Sequence, residues 1–250
     1  MKKIKSIKHY KKKYFKKLLQ LDWVKKYYLK KYNNNSIGSK KWLISMELKY
    51  GGLSTNVKRN KLSDLDPRLK IKKQKLFDGI GMSGGDRMLY HGYAEYYSKY
   101  LMDFFQNQKI VLVEVGILKG VGLAIWCDLF KNGRIIGYDI DLKHINDNMV
   151  NLKENNAFSY NKPELYEFDI YKNNIDFLNE NLKADKVDVC IDDGPHTDES
   201  ILKNFENFIP YLSNEFIYFI EDNKEVYKKI QKLYPQYTIV NYDELTIVTK

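Results

Sequence analysis

Two apolar runs close the chain, residues 237–242 and 245–249, and only Asp243-Glu244 separates them. Two residues cannot connect parallel neighbours, which need a long crossover, so these runs must pair antiparallel. Upstream the pattern alternates. Residues 109–116, 134–139, 165–169, 187–192 and 215–221 read as short buried strands rich in Val, Ile, Tyr and Phe. Residues 121–130, 142–151, 175–182, 200–212 and 224–233 between them carry helical periodicity. Strands alternating with helices call for a parallel sheet covered on both faces. The expected fold is therefore α/β: a Rossmann-like sheet of seven strands, the last reversed.

The first part of the chain has a different composition. Residues 1–75 hold 24 Lys/Arg against 4 Asp/Glu, a balance of +20, whereas residues 76–250 hold 18 against 28, a balance of −10. The overall charge of +10 hides a basic section joined to an acidic body. Such a section either attracts a polyanion or reflects lysine drift at tolerant surface positions. Tyr14, Leu18 and Leu21 recur at helical spacing, and Trp42 to Tyr50 reads as a short helix ended by Gly51-Gly52. We expect a basic, mainly helical extension over 1–75, a glycine-rich loop and lid helix over 76–107, and a catalytic domain over 108–250. The loop runs from Asp78 to Asp86, and the helix from Ala94 to Gln106. The loop lacks the Gly-Lys-Ser/Thr ending of a P-loop.

Cys127 and Cys190 lie in apolar segments, which supports neither a disulfide framework nor a cysteine metal site. There is no signal peptide and no apolar run of about 18 residues, so a cytoplasmic protein with no transmembrane segment is expected. A homo-oligomer is compatible with the sequence.

Chemistry in an open α/β sheet sits at the carboxyl ends of the strands. The first strand ends in Glu114-Val115-Gly116, with Gly120 and Gly122 following. These glycines allow a tight turn and close approach of a ligand. Their spacing is not that of a dinucleotide fingerprint. Asp139 ends the second strand and can accept both hydroxyls of a ribose. Asp169 ends the third and is placed to receive an adenine amine. The fourth ends in Ile191-Asp192-Asp193-Gly194-Pro195-His196 and the fifth in Glu221-Asp222, strands that neighbour each other in such a sheet. Read blandly, Asp192-Asp193-Gly194-Pro195 is a turn and His196 only leads a helix. Read chemically, carboxylates from two strand ends can hold a divalent cation that lowers the pKa of an alcohol, while a histidine takes its proton. Oxygen ligands suit magnesium or manganese better than zinc. Arg87 and Lys119 are candidates to face a substrate phosphate. His9 and His144 read as surface residues, and Trp23, Trp42 and Trp126 as packing groups.

Glu114-x-Gly116-x-x-x-Gly120, Asp139, Asp169 and the reversed last strand resemble class I S-adenosylmethionine-dependent methyltransferases over residues 108–250. Within that class, Asp192-Asp193-Gly194-Pro195-His196 followed by Glu221-Asp222 resembles the metal-dependent sugar O-methyltransferases of macrolide deoxysugars, whose pattern is Asp-Asp-Gly-Ser-His and then Glu-Asp. His91-Gly92-Tyr93 and Tyr97 look like the segment those enzymes place before the first strand. Pro195 stands where the relatives usually have Ser. The resemblance implies S-adenosylmethionine and a divalent metal, Mg or Mn, as cofactors. It assigns Asp193, Glu221 and Asp222 to the metal and His196 to the general base, with Asp193 also catalytic. Glu114, Gly116, Gly120, Asp139, Asp169, Asp192 and His91 fall to the methyl donor, with Asp192 nearest its sulfonium.

A small-molecule acceptor is expected, and the basic section would suit a nucleotide sugar, such as a GDP-heptose in capsular polysaccharide biosynthesis. A phosphoramidate, catechol or lipid headgroup is the alternative. Nucleic acid is disfavoured, because the chain has neither an Asn/Asp-Pro-Pro-aromatic run nor an aromatic-basic platform.

Overall fold

A computed structural model describes residues 17–32, 34–53, 57–69, 82, 84–104 and 109–250. His9 and most of the glycine-rich loop lie outside them, as do residues 105–106 of the expected lid helix. The sheet has seven strands in the order β3-β2-β1-β4-β5-β7-β6. They are β1 (Val111–Val115), β2 (Arg134–Asp139), β3 (Glu164–Glu167), β4 (Val187–Asp192), β5 (Leu212–Ile220), β6 (Thr238–Tyr242) and β7 (Leu245–Thr249). β1 to β5 run parallel, and β7 is antiparallel to both β5 and β6. The two-residue link at Asp243-Glu244 produces this reversal, as its length requires.

Side chains alternate across the sheet and divide the interior in two. Leu112, Val189, Ile191, Ile217 and Phe219 face one core. Val113, Val115, Cys190, Tyr218 and Ile220 face the other. Val187 and Val189 fall on opposite sides because the register between β4 and β5 shifts between them.

The helices are α1 (Asp22–Tyr32), α2 (Lys40–Lys49), α3 (Ala94–Tyr100), α4 (Val121–Leu129), α5 (Lys143–Glu154), α6 (Ile175–Leu182), α7 (Asp198–Phe208) and α8 (Val226–Leu233). α1 packs on α2, and α2 packs on α3 and α4. Leu19, Val24, Trp42 and Leu43 join the same core as Leu123 and Trp126 of α4. The basic section thus shares its interior with the sheet. Trp42 and Trp126 are buried, but Trp23 is 67% exposed, against its expected packing role.

Capping explains where helix bounds differ from the sequence reading. Thr197 and Ser200 form a capping box, so α7 starts earlier than residue 200. Pro210 donates no backbone hydrogen bond, and a 3-10 turn at Ile209–Tyr211 replaces the rest of the helix. β5 then begins at Leu212. The Asn223 side chain accepts from the Glu225 and Val226 amides at 2.9 and 2.8 Å, which delays α8 to Val226. The lid helix stops at Tyr100, short of residue 106, and a 3-10 turn at Met102–Phe104 follows.

The strand order reverses between β1 and β4, the switch point at which open α/β sheets bind ligands.

Candidate active site

A cleft of about 530 Å³ opens at that switch point. This volume is within the usual range for small-molecule sites. Backbone contacts tie its floor together. The Asp193 amide donates to Val115 O at 2.8 Å, and the Glu221 amide donates to Asp192 O at 3.0 Å. Gly116 sits at φ +88°, and a Cβ there would lie 2.1 Å from Asp193 O. Only a glycine allows the β1 and β4 loops to approach so closely. Gly116→Ala combines left-handed strain with a backbone clash, and should lower unfolding free energy by about 2–4 kcal/mol in a denaturant titration. An unchanged midpoint would show that the loops can separate.

One wall carries the acids expected for a nucleoside. Asp139 accepts from the Ile117 and Leu118 amides, both at 3.0 Å, and so shapes the loop after β1. Burial holds its pKa above the usual value. Asp169 lies two residues beyond β3 and accepts from Ser63 Oγ at 2.7 Å. A carboxylate has about four lone-pair directions, so both acids keep capacity for a ligand.

The opposite wall is an ion cluster. Arg87 is 8% exposed and meets carboxylates from three strand ends. Its Nη2 donates to Glu114 Oε1 at 2.7 Å and to Asp193 Oδ2 at 2.8 Å, and its Nε donates to Glu221 Oε2 at 2.9 Å. Trp126 Nε1 donates to the other Glu114 oxygen at 3.0 Å. Tyr97 donates a short hydrogen bond to Glu221. A Cβ on Gly122 would come within 2.3 Å of Glu114 Oε1, so that glycine makes room for the ion pair.

Around this cluster lie the remaining candidates. Tyr93 OH donates to Asp222 Oδ1 at 2.7 Å. His91 Nδ1 lies 3.3 Å from the same oxygen and 3.4 Å from Glu244 Oε2. His196 Nε2 lies 3.8 Å from Asp193 Oδ1. Burial holds the His196 imidazole below its ordinary pKa. Its backbone is left-handed at φ 59°, as is that of Asp222 at φ 57°. Such strain at non-glycine residues persists only where surroundings enforce it. Asn223 supplies part of that enforcement, donating to His196 O at 3.0 Å and to Asp198 Oδ1 at 2.9 Å.

Several expected roles shift. Glu221 lies close to Asp193 and Asp222, as expected, but Arg87 and Tyr97 hold its carboxylate. Among the described residues, ligand atoms gather within 4.8 Å in two groups instead: Asp193, His196 and Asp222; and His91, Asp222 and Glu244. His91 lies on the carboxylate wall, beside Asp222 and Glu244. Asp192 is buried behind the cleft, where its Oδ1 accepts from the Gly194 amide at 3.2 Å, and it does not line the site. Gly120 caps α4 at φ 76°; a Cβ there would strike Ile145 at 2.6 Å, so its smallness serves packing. Arg87 was expected to face a substrate phosphate, yet it is an internal counter-ion. His144 was expected at the surface, but it lies on the cleft rim, 3.2 Å from Asn60 Nδ2.

The strand order and reversed β7 are those of the class I methyltransferase sheet. A curated relative, mycinamicin VI 2''-O-methyltransferase of Micromonospora griseorubida, is 23% identical over 141 residues, which is 53% of this chain and 31% of the relative. This chain resembles the metal-dependent sugar O-methyltransferases. The match spans about a third of the relative's length. No protein-family model matches the chain. Among solved structures, MycE methyltransferase in complex with Mg, SAH and mycinamycin VI aligns with a TM-score of 0.49 and 18% identity, over 76% of this chain and 54% of that one. A putative caffeoyl-CoA O-methyltransferase from Staphylococcus aureus aligns with a TM-score of 0.47 and 13% identity, over 76% and 93% of the two chains. No helix among the described residues is long and apolar enough to cross a membrane.

Proposed function

We propose that this protein is an S-adenosylmethionine-dependent, divalent-metal-dependent O-methyltransferase acting on a sugar hydroxyl. The reading rests on one observation above the others. Asp193, His196 and Asp222 bring ligand atoms within 4.8 Å of one another in the cleft whose other wall carries Asp139 and Asp169.

The donor set fits a hard dication. The two carboxylates, Asp193 and Asp222, are oxygen ligands of the kind magnesium and manganese take. Asp193 Oδ2 is engaged by Arg87, which leaves Oδ1 facing His196. Asp193 and Asp222 would hold the metal, with His196 close enough to join them or to act on the acceptor. A bound dication would lower the pKa of a sugar hydroxyl. S-adenosylmethionine would supply an electrophilic methyl group on sulfur.

The chain's own groups do the rest. Asp139 and Asp169 accept hydrogen bonds from a nucleoside and fix its position. His196, neutral at physiological pH because burial depresses its pKa, takes the hydroxyl proton at a ring nitrogen. Transfer of that methyl group to the hydroxyl oxygen would leave the bonding electron pair on the donor's sulfur. Arg87 neutralises part of the carboxylate charge beneath the site.

For the acceptor, we take a nucleotide-activated sugar such as a GDP-heptose, used in capsular polysaccharide biosynthesis. Incubation with methyl donor, manganese and a panel of nucleotide sugars should yield a product heavier by one methyl group in mass spectrometry. Turnover of a catechol or a glycan polymer, with none of the panel, would overturn the acceptor. Asp193→Asn should weaken Mn²⁺ binding by at least about tenfold, on the order of one charge-assisted contact, when read by electron paramagnetic resonance on the resting protein. Equal affinity would remove Asp193 from the metal site.

A further inference from the structure

A segment of the basic section reaches the nucleoside wall from outside the sheet. Val57 pairs with Met82 in an isolated bridge, and residues 59–63 then run past the ends of β2 and β3. Three side-chain contacts fasten the segment there. Asn60 Nδ2 meets His144 Nε2 at 3.2 Å, Lys61 Nζ meets Glu167 Oε2 at 2.8 Å, and Ser63 Oγ donates to Asp169 Oδ2 at 2.7 Å. Ser63 is 4% exposed, so the last of these is built into the fold.

Arg59 differs from its neighbours. It is half-buried and lines the cleft. Among the described residues no hydrogen bond or ion pair reaches its guanidinium. Arg68 nearby is occupied by Asp66, whose Oδ1 and Oδ2 both accept from its Nε, at 2.9 and 3.0 Å. The acids whose field Arg59 feels are Asp66 and Asp139. A guanidinium that has lost water and gained no partner has donors and a planar face available to a ligand.

The chemistry around it selects that ligand. Asp139 and Asp169 present acceptors, so they call for donors such as hydroxyls and an exocyclic amine. Arg59 presents donors and a cation, so it calls for ring nitrogens or a π face. A phosphate brought to Arg59 would enter the field of the Asp66 and Asp139 carboxylates. A neutral purine nucleoside satisfies both sets.

We propose that residues 59–63 form the outer wall of a purine-nucleoside pocket and that Arg59 contacts the bound nucleoside directly. This rests on the reading of the cleft as an S-adenosylmethionine site. It reassigns part of the basic section, expected to serve the acceptor, to the methyl donor.

Calorimetry on the full chain tests this with two probes. S-adenosylhomocysteine carries the nucleoside and an amino-acid carboxylate, whereas 5′-methylthioadenosine carries only the nucleoside. Arg59→Ala should weaken both about tenfold or more, the size of a lost stacking or charge-assisted contact. Arg59→Lys should recover only part of the loss, because it keeps the charge without the planar fork. Lys58→Ala removes the same charge from an exposed neighbour and should leave both affinities unchanged. The melting temperature of Arg59→Ala should match wild type, since no ion pair is lost. Loss confined to S-adenosylhomocysteine would place Arg59 on the amino-acid carboxylate and overturn the proposal. Unchanged affinity for both, with a raised KM for a nucleotide sugar, would return Arg59 to the acceptor. If the wild-type chain binds neither probe, the donor-site reading itself falls.

Discussion

His196→Ala should remove turnover by about 10²- to 10⁴-fold, the usual contribution of a positioned general base. Affinity for S-adenosylhomocysteine should not change, because Asp139 and Asp169, the acids proposed to hold the nucleoside, stand at other strand ends. The wild-type pH profile should agree. A base works when neutral, so activity should fall as pH drops through its pKa. Burial lowers the His196 pKa from its ordinary 6.5, so the acid limb of kcat/KM should lie below that pH. A variant that retains full activity would move the proton to another group. His91 would be the next to replace, since it lies 3.3 Å from Asp222 on the same wall.

The second large effect is expected at Arg87. Its guanidinium is buried against Glu114, Asp193 and Glu221, with contacts of 2.7–2.9 Å. Removing one partner of a buried ion cluster leaves uncompensated charge, which costs about 3–5 kcal/mol. Arg87→Met keeps most of the apolar stem and removes the charge, so the loss should report the ion cluster rather than a cavity. Chemical denaturation at neutral pH measures it. Without the guanidinium, the carboxylates should be more easily tolerated when protonated, so the deficit should shrink as pH falls. A deficit that does not depend on pH would mean that packing, not charge, is what Arg87 contributes.

Much of the fold is legible in the chain because its determinants are local. The period of each apolar run, the two-residue link at Asp243-Glu244 and the acids closing successive strands can all be read within short windows. Asp193 and His196 can be read as a pair because they are three residues apart. Other features depend on groups far away in sequence. Arg87 stands 27 residues from Glu114, 106 from Asp193 and 134 from Glu221, and nothing near it announces three carboxylates. Glu221 was expected at a metal because Glu221-Asp222 matches the Glu-Asp pattern, yet its carboxylate is held by Arg87 and Tyr97, which stand far from it in sequence. Ser63 reaches Asp169 across 106 residues, and only the folded chain reveals that the basic section touches the acid at the end of β3. Glu244 belongs to the link that fixes the topology, and the same link brings its carboxylate to His91. A Pro at 210 and an Asn at 223 could in principle have corrected two helix bounds, since each acts on its immediate neighbours.

The close approach at Gly116 bears on how such a protein can change its substrate. With no space for a methyl group between the loops after β1 and β4, the floor under donor and acceptor is a single rigid piece. Neither half can be reshaped without disturbing the other. Half-buried side chains that line the cleft from outside the sheet, such as Met82 and Tyr90, are not pinned by such a backbone approach. Selection for a new acceptor, in nature or in the laboratory, should therefore accumulate its changes on this rim and leave the strand ends as they are.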